Sequence, residues 1–169
     1  STYAVAEILN LTDAQQERYL KAYDATKLAL ERLGIFPVTT EERDQLLALD
    51  ELETGYPKMT LAHLYDMVNT IASLKDNDSL PYLDTKAFYE NEQTLRQIVG
   101  QVNAPGHIPS WRALQGRLGR IKRLGLFDSP QAPSLDYAAM LQPGRVSIID
   151  LSDTDSPQVN NLVIAQLLR

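Results

Sequence analysis

Five stretches of this chain repeat apolar side chains three and four positions apart, a period that calls for α-helices with one buried face. The clearest runs through Leu61, Leu64, Tyr65, Val68, Ile71 and Ala72. Each stretch carries its own start and stop. Thr12 with Gln15, and Thr39 with Glu42, are capping boxes, in which each partner answers an N–H that the first helical turn leaves open. The first of these helices runs to about Leu33, where Gly34 supplies a left-handed stop, and Tyr19, Leu20, Tyr23, Ala25 and Leu30 give it a broad apolar side. The second opens with Glu41, Glu42 and Asp44 at the positive end of its dipole, carries Leu46, Leu47, Leu49 and Leu52, and ends at Gly55-Tyr56-Pro57. Thr60 begins the third. A fourth is expected from Thr85 to Val102, burying Phe88, Leu95, Ile98, Val99 and Val102. Ser110 is expected to cap a fifth, with the stripe Trp111, Leu114, Leu118 and Ile121. Thr2 to Asn10 reads as a short helix ahead of these, and Ser134 as the cap of one or two turns through Met140.

The period then changes. After the turn Gln142-Pro143-Gly144 comes Arg145-Val146-Ser147-Ile148-Ile149-Asp150-Leu151, short, apolar and β-branched. That reads as a buried strand. Gln158 to Arg169 reads as one more amphipathic helix. A single strand makes no sheet, and the chain opens inside a helix and stops at Leu167-Leu168-Arg169 without a cap, which points to a piece of a larger protein. The expected fold class is mainly α: a bundle of about five helices over residues 1–141, then one strand and a terminal helix over 142–169.

Composition closes several doors. At 44% apolar and 22% charged the 169 residues are globular in character. No window nears the roughly 18 apolar residues of a membrane span. The first residues lack the basic and apolar regions of a signal peptide. With no cysteine, disulfide scaffolds, thiolate zinc sites and cysteine nucleophiles are out, and a reducing cytoplasm is the expected location. His63 and His107 lie far apart without a ligand spacing, so no metal site is expected. The paired carboxylates Glu41-Glu42, Asp50-Glu51-x-Glu53 and Asp153-x-Asp155 read as solvated faces rather than a glycosidase pair. There is no Gly-x-Ser-x-Gly elbow. No glycine is followed by lysine, so a Walker A loop is absent from these residues and no P-loop hydrolysis can arise from them alone.

The formal charge of −6 is unevenly spread. Between Ala104 and Phe127 stand five basic and no acidic side chains, all on the fifth helix: Arg112, Arg117, Arg120, Lys122 and Arg123. An acidic protein repels nucleic-acid phosphate at long range, yet one basic helix can touch a backbone locally. These five are the candidate DNA or subunit contact. The alternative is a solvated helix that balances an acidic bundle. Asp150, ending an apolar run, has the bare shape of a Walker B strand, against which Ser152 and Asp153 offer ordinary loop capping.

Three segments carry a family resemblance. Glu7-Ile8-Leu9-Asn10-Leu11-Thr12-Asp13-Ala14-Gln15-Gln16 resembles the opening of the helical region in HerA-type ATPases. Pro109 to Leu118 resembles the last helix of that region. Leu141-Gln142-Pro143-Gly144-Arg145-Val146-Ser147-Ile148-Ile149-Asp150-Leu151-Ser152 is the most specific match, followed by Asn161 to Arg169, which is similar to the family's next helix. The family belongs to the HerA/FtsK group of P-loop motors. The resemblance implies a helical insertion followed by one strand and one helix of a RecA-like core. It implies a parent that binds ATP and Mg²⁺, forms a hexameric ring, moves along duplex DNA and works with a NurA-type nuclease. The family's Walker A lies before this region and its Walker B after it. Asp150 is then not the Walker B aspartate, no catalytic or cofactor-binding residue carries over, and this chain is not expected to hydrolyse ATP alone. A second hypothesis is a stand-alone helical interaction module without any ATPase relation. A third, a small enzyme with a carboxylate site, would need acids converging in a pocket.

Overall fold

A computed structural model of the chain describes residues 9–48, 55–125, 137–140 and 142–150, with the single positions 152, 157, 160, 161 and 164. Among the described residues six helices belong to the first of two compact units, Ser1–Asp128: α1 (Asp13–Arg32), α2 (Thr40–Ala48), α3 (Leu61–Asn77), α4 (Lys86–Tyr89), α5 (Glu92–Gln101) and α6 (Ile108–Arg123). The chain is mainly helical, as its periodicity requires.

The caps follow the sequence closely. Thr12 Oγ1 accepts the Gln15 N–H, and the Gln15 side chain accepts the Thr12 N–H at 3.2 Å. Thr39 and Glu42 close the same loop ahead of α2, with Glu42 Oε2 also taking the Val38 N–H at 2.7 Å. Thr60 is paired with His63 in place of the usual glutamate, the ring Nδ1 accepting the Thr60 N–H at 3.2 Å. Gly34, at φ +64°, ends α1 in the left-handed region that a β-carbon disfavours.

α3 is the axle. It packs most extensively on α6, and α1 lies across both and reaches α5. Ala22, Ala25 and Ala29 are fully buried on α1, and their small side chains let its backbone come close. Against them pack Met67, Val68 and Ile71 of α3, Leu95 and Ile98 of α5, and Trp111, Leu114 and Leu118 of α6, all fully buried. Phe88 of α4 fills the remaining gap. The Trp111 indole N–H donates to Pro105 O at 2.7 Å, so even this ring enters the core with its polar atom satisfied.

Three expectations fail in detail. The helix from Thr85 to Val102 is two helices, because the backbone leaves the helical region at Asn91 (φ −124°, ψ 44°) while the Asn91 amide donates to Ala87 O at 2.8 Å. That bond lets a polar side chain end α4. Ser110 is not the cap of α6. The helix starts three residues earlier, with His107 at the cap position, Pro109 in its first turn and the Ser110 hydroxyl 2.9 Å from His107 Nδ1. α2 buries none of its residues, and Leu47 points into solvent. Leu49 and Leu52 lie outside the described residues, as do most of the expected helix Thr2–Asn10 and Ser134.

The second unit, Ser129–Arg169, contains α7 (Tyr137–Met140). The turn before the apolar run forms, with Gly144 at φ +80° and the Arg145 N–H donating to Gln142 O at 3.1 Å. The strand does not. Among the described residues there is no β-strand, and Arg145 to Asp150 pairs with no ladder. A strand needs a neighbour to accept its N–H groups, and none is available among the described residues. Val146 and Ile148 are 87% and 89% exposed. Of the expected last helix, Asn160, Asn161 and Ile164 are helical and the rest lies outside the described residues.

Candidate functional site

The basic helix α6 is built as its spacing predicts on the inner side. Trp111, Leu114 and Leu118 have no exposed surface, and Ile121 is half-buried against them. Its five cations do not form one outward face. Arg112 pairs with Asp76 near the end of α3, Nη2 to Oδ2 at 2.5 Å. Arg117 turns back to the N-terminal connector, where its Nη1 donates to the carbonyl oxygens of Leu9 and Asn10. Lys122 pairs with Asp84 and lies 4.6 Å from the centre of the Tyr65 ring. Arg120 and Arg123 make neither an ion pair nor a side-chain hydrogen bond among the described residues. The cations on α6 thus mostly hold neighbouring segments to the helix.

Beside α6 lies an open cleft of about 430 Å³, lined by Tyr65, Asp66 and Asn69 of α3, by Tyr82 and Asp84 of the connector before α4, and by Gly119, Lys122 and Arg123 of α6. Its floor is polar and buried. Asp66 has no exposed surface and Asn69 is 8% exposed. Asp66 Oδ2 accepts the Thr85 N–H at 2.7 Å, so this carboxylate anchors the start of α4. Asp66 Oδ1 and Asn69 Oδ1 are buried and accept no hydrogen bond from the protein. A buried acceptor left unpaired costs on the order of 1–3 kcal/mol, and such groups in folded proteins are ordinarily answered by something. Gly119 opens the opposite wall: a β-carbon there would stand 3.1 Å from Tyr65 Cε2 and 3.6 Å from Arg123 Nη1. Tyr82 forms the outer lip, 81% exposed, with its ring 6.5 Å from that of Tyr89.

The sequence reading missed Asp66 and Asn69. The available signal was their place on α3. Leu64, Met67, Val68, Ile71 and Ala72 bury so wide an arc of that helix that a polar residue among them must also turn inward. The other singled-out residues stay local. His63 serves the cap of α3, its ring 5.5 Å from Phe88, and His107 faces Ser110. Among the described residues no three His, Cys, Asp or Glu side chains gather as a metal site would require. Asp150 caps its own loop, with Oδ1 accepting the Ser152 N–H at 2.9 Å. The Ser152 hydroxyl and then its N–H hold that carboxyl below the usual aspartate range. No described helix is long and apolar enough to cross a membrane.

Set against known proteins, the chain matches no family model, no curated protein and no solved structure.

Proposed function

We propose that this chain is the helical subdomain of a HerA-type DNA translocase, joined to one strand and one helix of that motor's RecA-like core. The observation that carries this reading is the exposed run after Gly144. Val146 and Ile148 are almost wholly solvent-facing and Ile149 is 43% exposed, on a segment whose composition belongs to a buried parallel strand. Burying a side chain of this kind is worth about 1.5–3 kcal/mol. Two such side chains left in water, with a third 43% exposed, fit a segment whose sheet lies elsewhere, and the resemblance of Leu141 to Ser152 favours a RecA-like core as that sheet. In that motor ATP and Mg²⁺ are held by residues outside this chain, the assembly is a ring, and this chain hydrolyses nothing by itself.

Within such a ring the bundle works by protein contact, in subunit packing or in docking a partner such as a NurA-type nuclease. Direct DNA guidance is left to Arg120 and Arg123, because Arg112, Arg117 and Lys122 are engaged with Asp76, the Leu9–Asn10 carbonyls and Asp84. The test uses the product of the complete reading frame that encodes these residues. It should hydrolyse ATP with Mg²⁺, faster with duplex DNA, and Ile148→Asp should abolish both assembly and hydrolysis. A product without ATPase activity would overturn the reading.

A stand-alone helical interaction module is the second reading. It is favoured by the bundle's core, which closes over Trp111, Met67, Phe88 and Leu95 without recourse to a sheet. It expects Ile148→Asp to change nothing but local solubility.

A further inference from the structure

Two exposed surfaces of the bundle complement each other, whether or not the chain belongs to a motor. The first is α2. A helix of nine residues is marginal in water unless it packs on something. α2 buries none of its residues and packs extensively on no other described helix. Glu41, Asp44 and Ala48 are exposed and spaced by three and then four positions, so they share one face, with Leu47, 87% exposed, at its edge. Glu42 is spent on its cap and on Lys58, but Glu41 and Asp44 make no ion pair among the described residues. Arg43 stands on the far side of Leu47, turned away from Glu41.

The second surface is the outward face of α6. Gly116, Arg120 and Arg123 are exposed and spaced by four and then three positions, with exposed Ala113 a turn ahead and exposed Leu124 alongside. No atom stands within 4 Å of the place a Gly116 β-carbon would take, so the surface there is open. Arg120 and Arg123 find no carboxylate among the described residues, so within one copy the acidic and basic rows do not meet.

Run antiparallel, the two rows fall into register. Both rise by about 1.5 Å per residue, so Glu41 can meet Arg123 while Asp44 meets Arg120 and Ala48 meets Gly116. The small residues at the third contact let the backbones approach, and Leu47 leaves water over Gly116 and Ala113. The same arrangement sets the positive N-terminal end of α2 beside the negative C-terminal end of α6.

We propose that α2 of one copy packs antiparallel on the outward face of α6 of a second copy, with Glu41 on Arg123 and Asp44 on Arg120. The contact is small and the net charge of −6 repels two copies at long range, so the association is weak. In a ring it is subunit packing, and it gives Arg120 and Arg123 to protein rather than to DNA.

The test is a concentration series of the isotopically labelled chain in ¹H–¹⁵N correlation spectra, up to about 1 mM, with sedimentation equilibrium alongside. The amides of residues 41–48 and 113–124 should move with concentration, and the mass should rise above 18.9 kDa. Glu41→Lys with Asp44→Lys should weaken association at least about tenfold, and so should Arg120→Glu with Arg123→Glu. All four positions are exposed, so the Trp111 emission of both variants should remain that of the folded chain. Mixing the two variants should restore association, because each supplies the row that the other lacks. No change with concentration overturns the proposal and leaves the acidic face to a different partner. Association that survives either reversal, or that mixing fails to restore, overturns the pairing. None of these read-outs depends on ATP hydrolysis, so the translocase reading stands or falls separately.

Discussion

Arg117 and Arg120 look interchangeable on a helical wheel of α6, and the structure gives them opposite energetics. Arg117 is half-buried and donates from one nitrogen to two backbone carbonyls, those of Leu9 and Asn10, more than a hundred residues earlier in the chain. Hydrogen bonds from a charged donor contribute about 1.5–3 kcal/mol when well enclosed. The Asn10 bond is exposed, so the lower end applies, and the two share one nitrogen. Arg117→Ala should therefore cost about 1–2 kcal/mol. Arg120 is exposed without an ion pair, and Arg120→Ala should stay within about 0.5 kcal/mol of the parent. For a chain of this length the first cost lowers the melting temperature by roughly 2–8 °C. Circular dichroism at a helical wavelength, with urea unfolding as the check, reads both variants. Equal loss for the two, or none for Arg117→Ala, would refute the assignment of Arg117 to the N-terminal connector and return it to the candidate contact face.

Trp111 is the sole tryptophan and has no exposed surface, so its emission should be blue-shifted and resistant to iodide, and should move red on unfolding. Trp111→Phe deletes the bond to Pro105 O and part of the ring, and should cost about 1–3 kcal/mol by urea denaturation. Glu42 titrates low because the Val38 N–H, then Lys58, then the Thr39 N–H favour its charged form. Its folded pKa lies below its unfolded value, so its contribution is present above the unfolded pKa and fades as pH falls through the folded one. A carboxyl-detected NMR titration should find it below the ordinary glutamate value, and Glu42→Gln should flatten that part of the stability profile. Tyr19 moves the other way: burial, then the neighbouring Tyr23, raises its pKa. It should resist ionisation in an ultraviolet titration until the fold gives way, and the stability it confers is lost as pH rises beyond the ordinary tyrosine value.

The helices and their ends were legible from local order. Thr12 with Gln15, Thr39 with Glu42 and the stop at Gly34 are decided by groups within a few residues of one another, and so is the stripe Trp111, Leu114 and Leu118. A local hydrogen bond and a 3.6-residue period need no knowledge of the rest of the chain. The break at Asn91 was harder, because an asparagine in a helix can point to water or to its own backbone, and here its amide turns to Ala87 O.

The candidate site was not legible, and the reason is distance along the chain. Arg112, Arg117 and Lys122 find partners 36, 107 or more, and 38 residues away, so a wheel drawn from α6 alone could not tell a free cation from a spent one. Asp66 and Asn69 came to line a cleft only when the fold brought Gly119 and Arg123 beside them. The apolar run at Val146 shows the converse. Its residues carry the propensity of a strand, yet a strand is completed by hydrogen bonds to another segment, and among the described residues that segment is missing. Propensity and period act within a helix or a turn, and these residues specify them on their own. Burial of charge, the pairing of cations and the formation of a sheet depend on which distant groups the fold brings together.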